Sequence, residues 1–236
     1  MSFYEKTGKL KAVTFSYDDN VTQDFQLVAL LNKYGLKCTF NVNSQLIGHR
    51  GRLIRNDKPI SWYRLWAQDA LELYNGHEVA AHTLTHIKLP EASDEEVIRQ
   101  VEQDRLNLSE MFGYEILGMA YPGGGVNYDD RVVELVKKHT GIKYARTIKR
   151  NDTFDLPADP YIIKPNVYHI MEYDRLMDLG RRFVELETDK PQMLYIWGHS
   201  YEMDYESDRW VKLEEFFKLI SGREDIFYGT NREVLL

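Results

Sequence analysis

The chain has 236 residues, 43% of them hydrophobic, with a formal charge of −7, enough apolar material for one sizeable core and a single domain over residues 1–236. The acidic balance, with no evident clustering of Lys and Arg, argues against a nucleic-acid binder. One cysteine, Cys38, excludes an internal disulfide and a cysteine-based zinc cluster, and it reads as a small core residue. No stretch approaches the roughly 18 apolar residues of a membrane span, and Met1 to Lys6 lacks the apolar run of a secretory signal, so a cytoplasmic location is expected.

Short β-rich runs alternate with amphipathic segments along the chain. A strand is expected over 10–16, followed by Asp18-Asp19-Asn20, a helix over 23–34 ended by Gly35, and a strand over 37–42. A helix over 61–74 and a strand over 77–81 lead into His82-Thr83-Leu84-Thr85-His86. Ser93 and Glu96 form a capping-box pattern for a helix over 93–112 that ends at Gly113. A strand over 116–120 runs into Tyr121-Pro122-Gly123-Gly124-Gly125, then a helix over 128–139 and strands over 143–147 and 161–164. Last come a helix over 173–187, a strand over 192–197 ending in Trp197-Gly198-His199, a helix over 208–220 and a strand over 225–228. This alternation predicts a parallel α/β sheet closed into a (β/α) barrel of seven or eight strands, with chemistry on the loops at the carboxyl ends of the strands.

His82 and His86 carry the sharpest chemical signal. On a helical turn, side chains four apart point the same way, and neutral imidazole is the commonest nitrogen ligand of divalent cations. The bland alternative has one histidine capping a helix and the other in solvent. Asp18-Asp19-Asn20 likewise reads either as a pair of carboxylates converging on that site or as a cap for the helix beginning near Thr22.

Several segments resemble the NodB-like polysaccharide deacetylases, metal-dependent hydrolases that remove N-acetyl and sometimes O-acetyl groups from sugars. Thr14-Phe15-Ser16-Tyr17-Asp18-Asp19-Asn20 is similar to that family's Thr-Phe-Asp-Asp-Gly, with two extra residues and Asn20 where glycine is usual. Asn75 to His86 is similar to Asn-Gly-His-Glu-Val-x-x-His-Thr-x-x-His, and Lys37-Cys38-Thr39-Phe40 to Lys-Ala-Thr-Phe. The resemblance runs from about Lys11 to about Tyr201. It implies a deformed barrel in which Asp19, His82 and His86 hold a divalent metal and Asp18 is the general base. It also implies that His199 protonates the leaving amine, with Trp197 at the family's leucine position. Zinc suits such ligands, and cobalt, nickel or iron would accept them. Glu202 and Asp204 could orient His199, and Trp197 is either a wall for a sugar face or core.

The family's third motif, Arg-x-Pro followed by an aromatic, is altered here. Ala120 stands for the arginine and Gly123 for the aromatic, while the Gly123 N–H remains able to face an oxyanion. Tyr121 lies in the same loop and is a candidate substrate contact. Arg146, at the end of the fifth strand, is the candidate replacement partner for Asp18, its alternative being a surface ion pair. Support for that arginine would have to come from Asp152, Asp155 or Asp159. The expected activity is hydrolysis of an N-acetylated carbohydrate. The alternatives are a non-sugar amide or O-acetyl ester as substrate, or a binding homologue without turnover.

Overall fold

The computed structural model describes residues 2–236. Helix α1 (Phe3–Thr7) precedes β1 (Lys11–Asp18), and α2 (Asp24–Lys33) leads to β2 (Cys38–Val42). An antiparallel hairpin of β3 (Arg50–Arg55) and β4 (Lys58–Tyr63) stands before α3 (Ala67–Leu73). The alternation resumes with β5 (Glu78–Ala81), α4 (Asp94–Phe112), β6 (Gly118–Ala120), α5 (Asp130–His139) and β7 (Tyr144–Arg146). It ends with β8 (Val167–Tyr168), α6 (Tyr173–Val184), β9 (Gln192–Gly198), α7 (Arg209–Ile220), β10 (Ile226–Tyr228) and α8 (Asn231–Leu235).

Alternation within β1 sets the architecture. Val13, Phe15 and Tyr17 join the main apolar core beneath α2 and α7, where Phe15 meets Phe217 edge-on with centroids 5.3 Å apart. Thr14, Ser16 and Asp18 point the other way and bond to Asn231, Asn41 and Arg146, so the barrel's interior is a polar column. The sheet is parallel in the order β7-β6-β5-β2-β1-β9-β8. β10 pairs with the first half of β1 and β2 with the second. Ile163 bridges Arg146, and the Asn166 N–H donates to the Tyr195 carbonyl, which draws the outer strands together into a deformed (β/α) barrel.

Three expectations are corrected. The strand over 161–164 shrinks to the single bridging residue Ile163, and β8 forms after Pro165, because Pro160 and Pro165 restrict the segment between them. The helix over 61–74 begins only at Ala67, since Lys58–Tyr63 pairs with Arg50–Arg55 instead. Asn56 and Asp57 make that hairpin turn with φ of 50° and 59°, a conformation that Asn and Asp tolerate. His82 to His86 is not helical: it is an irregular loop with Thr83 at φ 65° and His86 at φ 59°. Cys38 is buried in the core, and Ser93 caps α4 by accepting from the Glu96 N–H, although Glu96 turns its own carboxylate to Arg99 and Gln100.

Candidate active site

The chain leaves β1 through two left-handed residues, Asp19 at φ 88° and Asn20 at φ 52°. That backbone is what glycine ordinarily supplies, and Asn is among the side chains that adopt it at least cost. The turn separates two adjacent carboxylates. Asp18 accepts from Arg146 Nη2 at 2.6 Å on both oxygens and from Asn41 Nδ2 at 2.8 Å. Burial opposes its ionisation, but Arg146, with His82 and His199, prevails and holds the carboxyl below its ordinary range. Neither aspartate caps α2: Asp24 itself accepts from the Val21 N–H at 3.1 Å.

Asp19 faces a different set of partners. Its Oδ1 lies 3.0 Å from Arg64 Nη1, and its Oδ2 accepts from Trp62 Nε1 at 3.3 Å. Burial again opposes ionisation, and Arg64 together with the three site histidines drives the carboxyl well below the carboxylate range. Arg64 also donates to the Asp19 carbonyl and stacks 4.4 Å over the Trp62 ring, so the end of the hairpin grips this residue.

His82 Nδ1 donates to the Ala120 carbonyl at 2.8 Å, which leaves the Nε2 lone pair aimed into the site. Burial lowers the pKa of this imidazole to about 4, so it is neutral at pH 7. The loop is anchored by Asp104, which accepts from the His82 N–H, and by Asn43, which donates to the His82 and Thr83 carbonyls. His86 Nε2 approaches Asp19 Oδ1 to 3.7 Å. One ligand atom each from Asp19, His82 and His86 lies within 4.8 Å of the others; His82 Nε2 is buried without a hydrogen-bond partner, and Asp19 Oδ1 has its ion pair with Arg64 but no hydrogen bond of good geometry. Two imidazole nitrogens, that of His82 orphaned, and one ionised carboxylate fit a divalent cation with coordination positions to spare.

His199 stands across from these groups, its Nε2 3.9 Å from Asp18 Oδ2. Its Nδ1 lies 3.3 Å from Glu202 Oε2 and 3.2 Å from the Tyr168 hydroxyl. Burial pulls this imidazole's pKa down, but Glu202, Asp19 and Asp18 outweigh that and raise it to about 9, so it is protonated at pH 7. Glu202 also bonds Tyr168 and His169, the latter at 2.6 Å. Gly198 is required here, because a Cβ would lie 2.3 Å from His169 Cδ2. Asp204 is engaged elsewhere, with Gln23 and Trp210.

Arg146 is fully buried and lies 4.6 Å over the Trp197 ring, whose other close stacking partner is Tyr168 at 4.3 Å. The three aspartates considered as its support are paired elsewhere: Asp152 with Arg175, Asp155 with Lys190 and Asp159 with Lys137. Trp197 is therefore both packed and pocket-lining. Gly123, at φ 85°, also lines the pocket, and its N–H has no protein acceptor among the described residues. Tyr121 reaches the pocket, but its ring stacks on Tyr128 and its hydroxyl donates to the Tyr161 carbonyl, so that hydroxyl is not free for a ligand. The cavity over these groups measures about 670 Å³, and Trp62, Tyr168 and Tyr201 complete its aromatic wall. Arg64, Trp62 and Tyr168 escaped the sequence reading because their partners lie tens of residues away, with no local pattern to mark them.

The family model for polysaccharide deacetylase matches residues 5–145, more than half of the chain. The protein belongs to the polysaccharide deacetylase family. Among curated proteins none matches. A probable polysaccharide deacetylase from Pseudomonas aeruginosa PAO1 shares the fold with a TM-score of 0.72 at 13% identity, covering 99% of this chain and 92% of that one. PuuE allantoinase follows at a TM-score of 0.70 and 12% identity, with the same coverage of 99% and 92%. Against the Bacillus cereus polysaccharide deacetylase BC0361 the TM-score is 0.51 at 19% identity over 64% of this chain, and the chain spans only 45% of that protein's length. It spans 55% of another solved relative, again about half. Among the described residues no helix is long and apolar enough to cross a membrane.

Proposed function

We propose that the protein is a metal-dependent hydrolase that removes the N-acetyl group from a sugar or glycan. The observation that carries this reading is the convergence of Asp19, His82 and His86, with His82 Nε2 unpartnered, beside a separate, arginine-held Asp18 at the base of one aromatic cavity. Asp19, His82 and His86 would hold a divalent cation, which would acidify water and polarise an amide carbonyl. Asp18, ionised and held by Arg146 and Asn41, takes the proton of the attacking water as the new C–O bond forms. The free Gly123 N–H faces the developing oxyanion. His199, kept protonated by Glu202, gives its proton to the departing nitrogen as the C–N bond breaks, yielding free amine and acetate. Tyr168 and Tyr201 offer apolar surface to a pyranose ring, with Trp197 packed behind Tyr168.

The test is acetate release from a neutral N-acetylglucosamine oligomer by metal-stripped protein resupplied with Zn2+ or Co2+. Turnover that depends on the ion and falls by about 100- to 10,000-fold in Asp18→Asn, with metal content retained, supports the reading. Tight binding of the oligomer without acetate release would instead favour a binding homologue. Loss of metal in Asp18→Asn and its retention in Asp19→Asn would exchange the two roles.

A further inference from the structure

The β3–β4 hairpin gathers charge that the sequence reading had not seen as a cluster. Arg50, Arg52, Arg55 and Lys58 are all exposed, and among the described residues none lies within ion-pair distance of a carboxylate. Asp57 is the one acidic residue between positions 50 and 63, in a chain whose net charge is −7. Two of the arginines are steadied by aromatic rings, Arg50 over Tyr63 at 5.1 Å and Arg55 over Tyr205 at 5.3 Å.

The hairpin is continuous with the cavity. Cross-strand pairs share a face, so Gly51 and Trp62, Leu53 and Ile60, and Arg55 and Lys58 all look the same way. Trp62 lines the cavity, Leu53 and Ile60 are packed down on Tyr201 and Val21, and Arg55 and Lys58 emerge beyond that packed stretch, while Arg50 and Arg52 lie on the opposite face. From Trp62 to Lys58 is four strand residues, about 13 Å, more than one pyranose ring can span. A parallel path starts at His199, passes Tyr201 with centroids 5.0 Å apart, reaches Tyr205 after a further 6.2 Å and ends under Arg55.

We propose that this hairpin is a binding arm for an anionic glycan strand, one whose carboxylates or phosphates flank the acylated sugar held in the cavity. The proposal rests on the deacetylase reading above. Arg55, steadied over Tyr205 and paired across the strands with Lys58, can form paired hydrogen bonds with a carboxylate or phosphate. Ile54, 69% exposed, is the hairpin's one strongly exposed large apolar side chain, which suits a polar strand better than a lipid surface.

The experiment compares two tetrasaccharides, one alternating glucuronate with N-acetylglucosamine and one of N-acetylglucosamine alone. Zn2+-loaded wild type and the double variant Arg55→Gln, Lys58→Gln are used, with melting curves to confirm folding. Acetate release and equilibrium binding by calorimetry are both measured. Wild type is expected to favour the acidic tetramer at low salt. The double variant should bind it about tenfold more weakly and lose most of the salt dependence, with the neutral tetramer unaffected. Equal effects on both tetramers, or none, overturn the proposal, as does tighter binding to phosphatidylserine vesicles or a single-stranded oligonucleotide than to the acidic tetramer. If neither tetramer releases acetate but the acidic one binds through these cations, the arm stands and the deacetylase reading falls. If the neutral tetramer is turned over with no acidic preference, the reverse holds.

Discussion

At the amino-terminal end of the strands, Glu78 is buried beside Thr39 and Tyr144, accepting from both hydroxyls and from the Arg232 N–H. Asn231 bonds Thr14 and Tyr195 and closes that end with α8. At the opposite end, equally buried polar groups are left incomplete: His82 Nε2, Thr83 Oγ1 and Asn43 Oδ1 have no hydrogen-bond partner. A buried polar atom without a partner costs about 1–3 kcal/mol, so an unpartnered imidazole nitrogen beside an ionised carboxylate is sensible only where something else completes it. Burial of charge is thus common to both ends, and what separates a scaffold from a candidate site is which atoms remain unsatisfied. Strain follows the same division: Asp19, Asn20, Thr83 and His86, all at positive φ, lie at the mouth.

Removing a donor at the mouth gives the largest contrast. His82→Ala should abolish stoichiometric metal and lower acetate release at least about a thousandfold, read by elemental analysis and initial rates. Retained metal with full activity would dissolve the distinction between the two ends. Arg146→Met comes next. It leaves Asp18 buried without its guanidinium, with an expected cost of about 3–5 kcal/mol in denaturant unfolding. With the opposing cation gone, burial raises the Asp18 pKa, so the acid limb of kcat/KM should move to higher pH. Wild-type stability and an unmoved profile would end the idea that Arg146 serves Asp18.

Glu202→Gln sharpens the comparison through pH. Glu202 is the foremost group raising His199 toward a pKa of about 9, so its loss should move the alkaline limb of kcat/KM to lower pH, read from a rate profile between about pH 6 and 10. An unchanged alkaline limb would assign that limb to another group. The smallest effect belongs to the far end: Glu78→Gln should cost about 1 kcal/mol of stability and leave metal affinity and turnover at their wild-type values.

The sequence made much of the barrel legible because β1, β2, β5 and β9 are short apolar runs bounded by turns or helices, and the histidine loop stands out by residue type. Arg146 could be singled out because it ends a strand whose neighbours supply the other site groups. The hairpin was hidden, since Trp62, Leu65, Trp66 and Leu73 mimic a helical period and only the Asn56-Asp57 turn betrays it. The two terminal helices carried a signal that went unused: Ser2 with Glu5 and Thr230 with Glu233 are both capping boxes. Arg64 left no local trace, as its contact with Asp19 spans 45 positions.

That contact reaches further than the carboxylate it holds. Because Arg64 and Trp62 carry the hairpin onto a metal-ligand candidate, a ligand that loads β3–β4 and shifts Arg64 would alter how firmly the ion is retained. By thermodynamic reciprocity the ion alters that load by an equal factor. Cation titrations with and without a long oligosaccharide would therefore report one coupling constant from two directions.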